Sequence, residues 1–191
     1  MNQYVQRMKT AIVGYHGKAK EAAAEIERAY SLYQREPAER EEQRIRDRLA
    51  KERKAAENEI NAACNAALEG VKAWGRLDGS RLTDDVKLFD MGLTPEQFNG
   101  LVDKYQDNYT MLNALHRYAD KANAEAAKNA HGIPETHFTT STIPTPEAKT
   151  AAWEKVYNGA LSMLDTLEKG DAFSRSLAES GVDHWGDGID I

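Results

Sequence analysis

Val5, Met8, Ile12, Tyr15, Ala19, Ala22, Ile26, Ala29 and Tyr33 stand alternately three and four residues apart near the start of this 191-residue chain. That spacing returns to one side of an α-helix every two turns, so the nine positions draw a single narrow apolar seam. A two-in-seven stripe kept in step over about four heptads marks a coiled-coil-like surface, and it predicts a long helix from about Asn2 to about Arg35. Gly14 and Gly17 fall inside it, each costing about 1 kcal/mol relative to Ala.

Pro37 ends this helix in the reading. Proline suits the first turn of a helix, so Glu36-Pro37-Ala38-Glu39 reads as a tight reversal into a second helix that continues to about Trp74. Ile45, Leu49, Ala56, Ile60, Ala63, Ala67, Val71 and Trp74 lie on one side of it, with Glu42–Arg46 and Asp47–Lys51 as supporting i,i+4 pairs. Folding back at Pro37 sets Ile12 near Ile60 and Val5 near Ala67 or Leu68. The expected product is a helical hairpin projecting as an arm of about 45–55 Å.

Beyond Gly75-Arg76-Leu77-Asp78-Gly79-Ser80 the elements shorten. Thr83-Asp84-Asp85 reads as the cap of a short helix through Asp90 that Gly92 closes. Thr94-Pro95-Glu96-Gln97 combines an N-cap, an N1 proline and a capping-box glutamine ahead of Phe98, Leu101, Val102 and Tyr105. Asp107 or Asn108 caps a helix with Met111/Leu112, Leu115, Tyr118/Ala119 and Ala122 on its apolar face. The segment Ile133–Pro144, β-branched and bounded by prolines, should be extended, either on the protein's own surface or as a strand offered to a partner. Thr145-Pro146-Glu147 caps a last long helix bearing Trp153, Val156, Tyr157, Ala160, Leu164 and Leu167, a short helix carries Phe173 and Leu177, and an irregular tail follows. The fold class expected is therefore all-α: a hairpin arm over 1–74, a small helical bundle over 75–130, an extended linker over 131–145, and C-terminal helices with a tail over 146–191.

Composition narrows the function classes. Residues 1–74 hold 14 Lys+Arg against 12 Asp+Glu and the remainder 11 against 19, so no basic footprint for nucleic acid forms. Cys64, the single cysteine, reads as a small packing residue of a helix. No stretch approaches about 18 consecutive apolar residues and no apolar signal core opens the chain, so neither membrane insertion nor classical secretion is expected. His16, His116, His131, His137 and His184 are scattered, and the Asp183-x-Trp185-x-Asp187-Gly188 tail places Trp185 where a calcium loop needs oxygen, so it reads as a polar tail with a Trp anchor. No G-x-S-x-G elbow or phosphate-binding glycine loop is present, and the acid pairs Asp84-Asp85 and Glu41-Glu42 suit helix ends and solvated faces. The expectation is no catalytic residue, no metal and no cofactor.

The segments Trp74–Ser80, Thr83–Leu88 and Leu93–Met111 resemble a group of small, helix-rich head-associated proteins of tailed phages and prophages of Gram-positive bacteria. The similarity covers about residues 1–125 and implies a virion structural protein, a minor capsid or decoration component that acts by binding proteins. It places the chain in the virion and, during assembly, in the bacterial host cytoplasm. The expected partners are other virion subunits, the major capsid protein among them, and further copies of the chain, with no nucleic acid and no membrane. A scaffold-like assembly factor and a cytosolic coiled-coil adaptor are the alternatives. Scaffolds often end in a basic capsid-binding helix, whereas this C-terminal region is acidic, which favours a component that stays on the particle. Tyr4, Tyr15, Tyr30, Tyr33, Thr136, Phe138, Thr140, Ile143 and Trp185 are the expected interface residues.

Overall fold

The structure is a computed structural model that describes residues 2–129, 137–169, 172–187 and 189. Among them it is all-α, with seven α-helices, three 3-10 turns and no strand. Helix α1 spans Gln3–Leu32 and α2 spans Arg35–Trp74. They pack as an antiparallel hairpin, since Arg7 meets Glu59 at 2.8 Å, Arg48 meets Glu25 at 2.6 Å and Tyr30 meets Glu42 at 2.6 Å. The reversal comes at Tyr33-Gln34, before Pro37 rather than at it. Pro37 is the third residue of α2, where a missing N–H removes a donor that would have had no partner within the helix.

The chain divides into two compact units, and the division differs from the four consecutive segments expected. The first joins residues up to Leu68 with those from Ala151 onward, so the hairpin is not a bare arm. Helix α6, Pro146–Lys169, covers it: Tyr157 donates to Asn61 at 2.7 Å, while Arg53 binds Asp165 and, at 2.9 Å, Glu168. These pairs descend α2 as they climb α6, so the two helices are antiparallel. Val5, Met8, Ile12 and Ile60 are fully buried, as are Ala63, Ala160 and Leu164. His16, off the heptad register, is also buried, and Glu179 and Asp183 of the C-terminal segment lie near it.

The tail, read as irregular, is a 3-10 turn, Val182–His184, running into a hydrogen-bonded turn over 185–187. It docks on α1: Lys9 pairs with Asp187 at 2.8 Å, and Gly186 sits at φ +83° with room for a Cβ only 2.8 Å from Val5. Gly186 is thus required twice, by its left-handed backbone and by its approach to α1. Helix α7, Ala172–Gly181, precedes this turn.

The second unit, Glu69–Thr150, holds α3 (Leu88–Met91), α4 (Pro95–Lys104) and α5 (Tyr109–Asn129) with 3-10 turns at Gly79–Arg81 and Asp84–Lys87. The capping box forms as read, with Thr94 Oγ1 accepting from Gln97 N at 3.2 Å and Gln97 Oε1 from Thr94 N at 2.9 Å. Thr83 makes no side-chain cap, because its hydroxyl lies 2.7 Å from that of Tyr105 instead. Gly75 lies against Pro146, 2.7 Å from where a Cβ would stand, so only glycine lets the end of α2 pass the start of α6 there.

The segment expected to be offered to a partner is instead internal where it is described. Phe138 and Ile143 are each 4% exposed and belong to the core built on Phe98, Leu112 and Leu115. Phe138 packs on the rings of Phe98 and Tyr118 at 5.1 and 5.5 Å, and Asn123 holds its backbone by donating to the carbonyl and accepting from the N–H, both at 2.9 Å. The sequence reading missed that one asparagine amide can stand in for a strand partner.

A buried aromatic ring is costly to remove. Phe138→Ala is expected to destabilise the second unit by about 3–5 kcal/mol. Urea unfolding followed through Trp74, which stacks on Tyr109 in that unit, measures this. A change under about 0.5 kcal/mol would mean that the segment does not pack as described.

Candidate protein-docking surfaces

The turn between α1 and α2 gathers Tyr30, Leu32 and Tyr33 on the outside, 47%, 74% and 56% exposed. Alanines fill the space beneath them, with Ala29 and Ala38 buried as the chain reverses. A methyl is all that fits between two helices so close to their turn, so the larger side chains splay outward. Tyr30 is steadied by donating to Glu42, which also pairs with Arg46. Those two hydrogen bonds hold the Glu42 carboxyl below its usual range, and Glu42 in turn pushes the Tyr30 phenol up. No acid interrupts Arg28-Ala29-Tyr30-Ser31-Leu32-Tyr33-Gln34-Arg35.

A second apolar surface lies in the other unit, where Leu88, Met91, Leu93, Gln97, Gly100 and Leu101 line a groove of about 310 Å³. Met91 is 80% exposed and Leu88 is also exposed. Gly92, at φ +77°, ends α3 and swings the chain so that Leu93 turns inward while Met91 stays out. Leu93 N–H donates to the Tyr118 hydroxyl at 2.8 Å, which pins the groove floor to α5. On its other side, Lys104 and Tyr105 both donate to Asp85 at 2.7 Å, depressing that carboxyl and fixing the 3-10 turn. Sequence reasoning missed this groove because Leu88 and Met91, three apart on a helix, look like core; only the acids around them, Asp84, Asp85 and Asp90, hinted at exposure.

The other expected interface residues are dispersed. Tyr4 is half-buried, edge-to-face with Trp153 at 5.9 Å, and Tyr15 is buried inside the first unit. Neither offers a free face. Phe138 and Ile143 belong to the second core, Thr140 is half-buried with its carbonyl accepting from Ile143 N at 3.1 Å, and Trp185 is half-buried in the C-terminal turn. Thr136 lies outside the described residues, as does His131. Tyr30 and Tyr33 alone of the nine present exposed aromatic surface.

Polar clusters within the first unit act as fasteners. Arg53 meets Glu57, Asp165 and Glu168, tying α2 to α6. A cavity of about 290 Å³ nearby is lined by Tyr15, Arg46, Leu49, Leu167 and Arg175, but Arg46 serves Glu42 and Arg175 donates to the Glu168 carbonyl at 3.2 Å. Burial raises the Tyr15 phenol, with Glu168 adding to it. Burial likewise raises the Cys64 thiol, which suits a packing role rather than a nucleophile. Among the described residues, no three His, Cys, Asp or Glu side chains converge as a metal site would require, and no helix is long and apolar enough to cross a membrane.

No family model matches the chain, and no curated protein or solved structure matches it either.

His16 gives the first unit a pH dependence. Its imidazole is held below the ordinary value of 6.5 chiefly by burial and then by Lys20, opposed by Glu179 of α7 and Asp183 of the C-terminal turn. The unfolded chain therefore takes up this proton first as pH falls, and stability should decline from about pH 6.5 downward until the folded form also titrates. His16→Gln should flatten the difference in urea midpoint between about pH 7.5 and about pH 5.5. An equal drop in both proteins would assign the pH dependence elsewhere.

Proposed function

We propose that this chain is a structural component of a tailed-phage head, a minor capsid or decoration subunit that works by binding other virion proteins. The observation that carries this reading is the exposed Tyr30, Leu32 and Tyr33 cluster at the hairpin turn, an apolar-aromatic surface for which a folded monomer has no use. The resemblance of residues 74–111 to head-associated proteins supplies the setting. Two well-packed helical units, the first tied together across α2 and α6 by the Arg53 cluster, suit a part that is assembled, with partner surfaces left at a turn and a groove.

The composition of particles tests it. Mass spectrometry of gradient-purified heads from a producing lysogen should find the chain at a constant ratio to the major capsid protein in mature virions. A Leu32→Ser, Tyr33→Ser double variant should fold normally, as both side chains are exposed, and should lower that ratio at least tenfold. Presence in procapsids with loss from mature heads would assign the scaffold-like role instead. Absence from both would overturn the structural reading.

A further inference from the structure

The groove between α3 and α4 joins uncovered apolar surface to uncancelled negative charge. Residues 84–104, which build it, hold five acids and two lysines, and the lysines are already engaged: Lys87 with Asp84 and Lys104 with Asp85, both at 2.7 Å. Asp90, Glu96 and Asp103 form no ion pair among the described residues, and all three are exposed. They stand on both walls. Asp90 precedes Met91 on α3, while Glu96 and Asp103 lie four residues before and three residues after Gly100, on the same side of α4.

The apolar part is open to incoming side chains. Met91 is 80% exposed and unbranched, so it can adapt to what arrives, and a Cβ at Gly100 would meet nothing within 4 Å. The floor is fixed by contrast, since Leu93 is buried and its N–H is held by the Tyr118 hydroxyl. Backbone chemistry limits the occupant further. The groove lies between helices, and there is no strand among the described residues, so an extended peptide finds no sheet edge with which to pair its N–H and C=O groups. A helix satisfies its own backbone and needs only side-chain contacts.

We propose that this groove takes an amphipathic helix of another protein, its seam of Leu- or Met-like side chains seated on Leu88, Met91 and Gly100 and its flanking Lys or Arg residues meeting Asp90, Glu96 and Asp103. Charge selects this occupant. An acidic segment would be repelled by the rim, and a neutral one would leave three carboxylates without a partner. A second copy is a poor source of such a helix, because the chain carries a net charge of -6 and its exposed hairpin turn sets Glu27 beside Arg28 and Glu39 against Arg35. The inference does not rest on the virion reading, since the purified chain either selects basic amphipathic helices or does not.

A displayed library of random peptides of about 16 residues, panned on the purified full chain and counter-selected on Gly100→Gln, reads the occupant's chemistry without assuming its sequence. Enriched peptides should carry apolar residues at helical spacing with Lys or Arg between them. The best of them, synthesised and titrated by calorimetry, should lose about tenfold or more in affinity against Gly100→Gln, against the Asp90→Asn, Glu96→Gln, Asp103→Asn triple variant, and between about 50 mM and about 500 mM salt. All four substituted positions are exposed, so both variants should keep wild-type helicity by circular dichroism, which separates lost binding from lost folding. Enrichment of acidic, uncharged or non-helical patterns would overturn the proposal, as would no enrichment over the Gly100→Gln chain or an affinity indifferent to the triple variant. So would sedimentation velocity of the chain alone showing an association that Gly100→Gln abolishes, which would give the groove to a second copy.

Discussion

The first unit depends on covering the apolar seam of α1. Val5, Met8 and Ile12 are wholly removed from water, each contributing about 1.5–3 kcal/mol by burial. An ideal two-helix pairing would leave the outer edges of such a seam wet. Ala63 and Ala67 on α2 are small enough to let the helices approach closely, but they bring little area of their own. That shortfall is why α6, with Trp153, Ala160 and Leu164 buried, and the C-terminal turn, with Val182 1% exposed, fold back over the hairpin. Once three helices share a core, polar side chains between them need partners. The Arg53 cluster and the Tyr157–Asn61 bond meet that need.

The second unit solves the opposite problem. Its helices are short, and α3 has only four residues, too few to be stable without tertiary support. Aromatic rings supply the area: Phe98, Phe138, Tyr118 and Phe89 stack in a chain with centroids 5.1–5.5 Å apart. Local fixtures then hold each turn in place, the capping box at Thr94, the Asp85–Lys104–Tyr105 cluster and the Asn123 clamp on Phe138. A unit stitched together in this way leaves some apolar side chains with nowhere inside to go. Met91 and Leu88 are those residues, and their exposure beside Gly100 creates the groove.

Charge distribution links architecture to behaviour. The long helices carry many exposed i,i+3 and i,i+4 pairs, such as Arg40–Glu36 and Arg44–Glu41, which contribute little stability individually but keep the faces neutral. Neutral faces do not choose partners. The rim at Asp90, Glu96 and Asp103 escapes this cancellation beside the exposed Leu88 and Met91, whereas at the hairpin turn Glu27 adjoins Arg28 and Glu39 pairs with Arg35. Coincidence of uncancelled charge with uncovered apolar area distinguishes the groove from the solvated helix faces around it.

Helices were legible from the sequence because their signals are local: seven-residue periodicity along α1 through Ala29, Thr94 with Gln97 at the start of α4, and Thr145 accepting from Ala148 N at 3.1 Å at the start of α6. Each rests on residues a few positions apart, which the chain's own geometry brings together. Tyr33, read as the last position of the seam, instead lies past the end of α1 and is exposed at the turn, because the chain reverses there. Whether Phe138 and Ile143 faced a partner or a core was not legible, since the answer lay in Asn123, Phe98 and Tyr118, which only folding brings near. Nor could spacing reveal that α6 and the tail join the hairpin in one unit, because a seam states that it must be buried without naming what buries it. The sequence by itself determined an all-α chain with a long hairpin; tertiary structure decided which apolar residues found cover, because burial is settled by the competition of all elements for a limited interior.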